Sequence, residues 1–183
     1  MKKALLLVDI QNDYFPGGRM ELVGMEEAAS QTQALLAAFR RRQWPTYHIQ
    51  HVSIRKGATF FLPDTPGVQI HASIAPREGE TVINKHFPNS FRDTGLKKRL
   101  DAAEVGELVI CGAMSHMCID ASTRAAVDHG FSCVVIHDAC AIRDLVFAET
   151  LIPARQVHGA FMAALASFYA GVISLEEFMR ALE

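Results

Sequence analysis

Cysteine is scarce in this 183-residue chain. The four present, at positions 111, 118, 133 and 140, include no Cys-x-x-Cys pair, which weakens both a structural zinc site and a thioredoxin-like redox motif. An excess of one charge is missing too: 18 basic residues against 20 acidic ones leave a net charge of -2. Nothing therefore argues for nucleic acid or an anionic membrane as a partner. The two basic clusters, Arg40-Arg41-Arg42 and Lys97-Lys98-Arg99, fall near the ends of helix-like segments, where cations meet the negative end of the helix dipole. No apolar run approaches the roughly 18 residues of a transmembrane helix. Met1-Lys2-Lys3 ahead of an apolar run imitates a signal peptide, but Asp9 stops the run short of an h-region. A cytoplasmic protein with free thiols is expected. No linker, repeat or low-complexity tract divides the chain, so one domain over residues 1–183 is expected.

What is present is alternation. Apolar runs of strand length occur at 4–8, 46–52, 81–84, 108–111, 133–137 and 171–173, mostly without a polar face. Strands buried on both sides read this way, as in parallel sheets covered by helices. Between them lie helix-like stretches at 26–42, 94–103, 118–129 and 146–169, and a last one at 174–182 opens with the capping-box spacing Ser174-Leu175-Glu176-Glu177. The pattern predicts a three-layer α/β/α domain around a mostly parallel, six-stranded, Rossmann-like sheet. Residues 53–77, with three prolines, read as a long loop over the strand ends and part of a pocket rim.

In such sheets ligands bind beyond the carboxyl ends of the strands. Strand one ends at Asp9, strand three at Lys85, strand four at the turn "GAMSHMC" (112–118), and strand five at Asp138. A buried carboxylate at Asp9 needs a cationic partner, and Lys85 is the natural one. Beside Cys118 at a helix N-terminus, the lysine lowers the thiol pKa and the carboxylate accepts its proton. The alternative for Asp9 and Lys85 is a paired charge that only fixes strand ends. For Cys118, Cys111, Cys133 and Cys140 it is packing.

"LLLVDIQNDYF" (5–15), "VINKHFPNSF" (82–91) and "VICGAMSHMCIDASTRAAVDHGF" (109–131), in that order, resemble the signature regions of the isochorismatase-like cysteine hydrolases. The resemblance covers essentially the whole chain. It implies a catalytic triad of Asp9, Lys85 and Cys118, and a cis peptide at Ala113-Met114. The backbone N–H groups of Met114 and Cys118 would then form the oxyanion hole. The implied chemistry is hydrolysis of a C–N bond in a small-molecule amide through a thioester on Cys118, with Asp9 shuttling the proton and then activating water.

Family members that cleave the vinyl ether of isochorismate lack the cysteine, so that activity is the alternative, alongside a non-catalytic binding protein of the same fold. No cofactor is expected. Nicotinamidases in the family hold a metal through an Asp-x-His pair after strand two, a pattern absent from His48-Ile49-Gln50-His51. His71 is the only further histidine that could join His51. Phe15, Phe60, Phe91 and His116 are candidates for contact with substrate. Gln11 and Asp13 are expected to orient the first loop and Asp9 by hydrogen bonds, or to cap it. The resemblance also implies a homo-oligomer, dimer or tetramer, with the apolar stretch 161–172 as one possible interface.

Overall fold

Six parallel strands form the central sheet of the protein, a computed structural model that describes residues 1–182. In chain order the elements are β1 (Lys2–Val8), α1 (Met25–Arg41), β2 (Thr46–His51), β3 (Thr81–Lys85), α2 (Leu96–Ala102), β4 (Val105–Ala113) and α3 (Asp120–Asp128). There follow β5 (Ser132–Ala141), β6 (Leu145–Phe147), β7 (Thr150–Ile152), α4 (Ala154–Ala166), β8 (Gly171–Ile173) and α5 (Leu175–Arg180). The sheet order is β3-β2-β1-β4-β5-β8, with every neighbouring pair parallel. Among the described residues no helix is long and apolar enough to cross a membrane.

The unalternated apolar strands have a simple cause. Leu5 and Leu7 of β1 pack into a cluster with Leu35, Leu36 and Phe39 of α1 and Phe178 of α5. Ala4, Leu6 and Val8 face the other way, onto Leu96 and Leu100 of α2, Ala126 of α3, and Met162 and Leu165 of α4. Both faces of the strand are dry, so neither needs polar residues.

From β1 the chain builds outward through β2 to β3, then crosses back to place β4 on the other side of β1. The crevice at that reversal is where open α/β sheets bind ligands. Close approach is built in there. Val8 pairs with Gly112, and a Cβ on Gly112 would stand 2.0 Å from the Val8 carbonyl oxygen at a φ of +122°. Gly112→Ala is therefore expected to lower stability by about 3 kcal/mol or more, read as a fall in the urea unfolding midpoint.

The structure corrects one element. Residues 146–169 are not one helix: β6 and β7 form an antiparallel hairpin, and α4 starts only after Pro153. Ala148 and Glu149, both at positive φ, make its two-residue turn, a geometry that matches strand twist. Pro153 has no N–H to give to a helix interior and ends the extended segment instead. The hairpin leaves Val146, Phe147 and Leu151 exposed. In the stretch once read as an interface, Met162 and Leu165 are core while Phe168 is exposed. Strand five also runs past Asp138 to Ala141, bulging where it leaves the register of β4. Asp138 Oδ1 accepts the Leu175 N–H at 2.9 Å, and Ser174 and Glu177 complete the expected capping box.

Candidate active site

Asp9 is the first residue past β1. Its N–H donates to the Ile49 carbonyl at 3.1 Å, its carbonyl accepts the Gln11 N–H at 3.0 Å, and it sits in the left-handed region at φ 52°. Such a conformation is uncommon for a residue with a side chain and clusters at functional sites. The carboxylate is fully buried. Lys85, the last residue of β3, brings its Nζ to 2.7 Å from Asp9 Oδ2, with both side chains at 0% exposure. The same ammonium donates to the Pro88 carbonyl at 3.0 Å and neighbours Cys118. Apart from the ion pair of Oδ2 with Lys85, neither carboxylate oxygen of Asp9 has a hydrogen-bond partner. An unpartnered buried oxygen is costly in a merely structural pair, and it leaves one acceptor free for a proton.

Cys118 lies in a single π-helical turn, Ser115–Ile119, between the end of β4 and the start of α3. The Ala113-Met114 peptide ahead of it is cis, as the resemblance implies. Donor atoms of Asp9, His51 and Cys118 lie within 4.8 Å of one another. Lys85 lowers the Cys118 thiol pKa, as expected, but it does not prevail. Burial first, and the Asp9 charge second, push the thiol up to about 12 against the opposing pull of Lys85. Desolvation of the charged form outweighs the lysine. Burial pulls the Lys85 ammonium down, but Asp9 and Cys118 more than offset this and leave its pKa raised. At rest a protonated thiol thus sits beside the Asp9–Lys85 ion pair.

Gln11 and Asp13 do orient the loops. The Gln11 amide donates to the carbonyls of His51 (2.9 Å) and Val68 (2.7 Å) and accepts the His51 N–H at 2.7 Å. Asp13 accepts the N–H of Arg19 at 3.2 Å and of Phe61 at 2.6 Å. Gly67 packs so close that a Cβ would meet Asp13 Oδ1 at 2.0 Å. Asp13→Ala leaves the Phe61 and Arg19 N–H groups without their carboxylate acceptor. It is expected to cost about 2–3 kcal/mol, measured by urea unfolding.

The candidate substrate contacts divide. Phe15 stacks on His71 with ring centroids 3.7 Å apart. Phe60 packs on Tyr14 and Phe61, in the cluster that reaches His51 through Phe61. Phe91 is elsewhere: it packs on Phe131 and His129, beyond the C-terminal end of α3, because its apolar ring completes the core under that helix. His116 stands in the turn that carries Cys118, its ring edge-on to Phe161 at 6.0 Å and its buried Nδ1 unpartnered. Burial, and then Arg143, lower its pKa.

The three histidines once weighed as metal ligands diverge. His48 turns to the opposite face and meets Glu80 at 2.9 Å, while His71 bonds Ser73 at 2.8 Å. Only His51 joins the cluster, and the cationic place beside Asp9 is taken by Lys85. Two neighbours went unnoticed in the sequence. Tyr14 is buried, and its pKa is raised by burial and then by Cys118 and Asp9. Ser115 Oγ lies 2.9 Å from His158 Nδ1, holding the turn that carries Cys118 onto α4.

A family model described as the isochorismatase domain matches residues 3–177. The chain belongs to the isochorismatase family. An uncharacterized isochorismatase family protein of Bacillus subtilis, YddQ, is 51% identical over 98% of this chain and 100% of its own length. A crystal structure assigned to the isochorismatase hydrolases, from Oleispira antarctica, superposes with a TM-score of 0.94 at 53% identity, covering 98% of this chain and 96% of that one. Streptothricin hydrolase of Streptomyces noursei is 38% identical over 81% of this chain, which spans about half (53%) of that enzyme. Other isochorismatase-family relatives bear the names maleamate amidohydrolase and N-carbamoylsarcosine amidase. Amide hydrolysis is therefore represented among them.

Proposed function

We propose that this protein is a cysteine-dependent amidohydrolase acting on a small molecule, with Asp9, Lys85 and Cys118 as its catalytic groups. The observation that carries the reading is the buried cluster itself. A thiol, a carboxylate with one free oxygen and an ammonium converge at the sheet's reversal point. Asp9 takes the Cys118 proton as the sulfur attacks the amide carbonyl, and Lys85 stabilises the negative charge on the pair. The N–H groups of Met114 and Cys118 hold the oxyanion. Asp9 then protonates the leaving amine, the C–N bond breaks, and a thioester remains on Cys118 until water releases the acid. Because the resting thiol stays protonated, proton transfer and attack are coupled, and the enzyme carries no reactive thiolate between turnovers.

The names of the streptothricin, maleamate and carbamoylsarcosine enzymes support a C–N bond as the target. The test is a panel of small primary amides, ureido acids and lactams assayed for ammonia or amine release, with isochorismate alongside. Cleavage of at least one amide, and none of isochorismate, is expected. Cleavage of isochorismate alone would reverse the assignment.

A further inference from the structure

His51 has no part in the acylation sequence above, yet it is the residue of the cluster that meets solvent. Asp9, Lys85 and Cys118 are 0%, 1% and 4% exposed, whereas His51, closing β2, is only partly buried. Its backbone is clamped on both sides by the Gln11 amide, and its ring rests 5.9 Å from that of Phe61. Among the described residues no side chain hydrogen-bonds either ring nitrogen, and one of them lies within 4.8 Å of both the Cys118 sulfur and an Asp9 oxygen. Burial lowers its pKa, Lys85 and His86 add to this and Asp9 opposes it, so the imidazole is neutral near pH 7 and able to accept a proton.

Once Cys118 is acylated, the attacking water comes from solvent, and His51 is the partly exposed member of the cluster. Asp9 is fully buried and paired with Lys85. Resting on the amidohydrolase reading, we propose that His51 is the general base of deacylation, a second proton acceptor distinct from Asp9. One water O–H proton passes to the imidazole while the oxygen bonds to the thioester carbonyl carbon. The tetrahedral adduct collapses with cleavage of the C–S bond, releasing the carboxylic acid and a Cys118 thiolate. The imidazolium returns its proton to that thiolate, restoring thiol and neutral imidazole with no net change in the protein.

p-Nitrophenyl acetate separates the steps, because its leaving group needs no proton: the nitrophenol burst reports acylation and the steady state reports deacylation. In His51→Asn the burst is expected to persist while the steady state falls about 100-fold, the acetyl-enzyme accumulates by intact mass, and hydroxylamine, which needs no base, restores turnover. His51→Gln serves if the asparagine variant fails to fold. An unchanged steady state, an equal fall in burst and steady state, or a wild-type rate that a chelator abolishes and zinc restores would each overturn the role of His51 alone. Hydrolysis that survives Cys118→Ala at the wild-type rate would overturn the amidohydrolase reading together with it.

Discussion

Cys118→Ala is expected to lose at least about 10⁴-fold in amide turnover while folding normally, because alanine fits the space of a residue that packs at the end of β4. Cys118→Ser is expected to be nearly as inactive. A serine hydroxyl is a poorer acid and nucleophile than a thiol, so passing its proton to Asp9 during attack is far less favourable. The protonation state sharpens the expectation. With the thiol pushed up to about 12, iodoacetamide should modify Cys118 slowly at pH 7, with a rate that keeps rising above pH 9. A labelling midpoint near pH 6 to 7 would mean a stable thiolate, contrary to the coupled transfer described above. Cys111 and Cys133, pushed up to about 12 chiefly by burial, provide the comparison.

Lys85→Met has the second large effect, on stability as well as rate. Removing the ammonium leaves the fully buried Asp9 charge without its ion-pair partner, a loss of about 3–5 kcal/mol. Activity should fall about 10³-fold, since nothing else stabilises charge on the carboxylate and sulfur. The two effects separate in the double variant. Lys85→Met with Asp9→Asn puts a neutral side chain in place of the stranded charge, and asparagine tolerates the left-handed backbone at this position. Stability should return to within about 1–2 kcal/mol of wild type by urea unfolding, while activity stays lost. Recovery of activity in the double variant would contradict the roles given to both residues.

Much of the fold was legible because the inner strands β1 and β4 are buried on both faces and carry that fact as apolar runs. The residues that close three of the sheet's strands led to Asp9, Lys85 and Cys118. Two misjudgements have identifiable causes. The β6–β7 hairpin was hidden because its turn uses Ala148-Glu149 in place of glycine or asparagine, although Pro153 stood in the supposed helix as a visible warning. His51 closes the remaining strand of the left half of the sheet and satisfies the same strand-end rule. Its histidine pattern there points in sequence only to metal ligation, and only the fold brings its ring beside Cys118. The thiol's protonation was not legible at all: a motif shows which charges are neighbours, but not how completely water is excluded from them.

The same limit applies away from the site. Glu80 has no motif to announce it. Burial pushes its carboxyl up, but hydrogen bonds from Arg40, the Arg77 N–H and His48 hold it down to about 2, tying α1 to the strand β2 and the start of β3.

The most direct test of the central claim is rapid acid quenching during turnover of an amide from the panel, followed by intact mass measurement and peptide mapping. A transient increase equal to the acyl group, mapped to the peptide containing Cys118 and absent in Cys118→Ala, is expected. Sustained turnover with no acylated enzyme at any time, or an adduct on another cysteine, would contradict the thioester route.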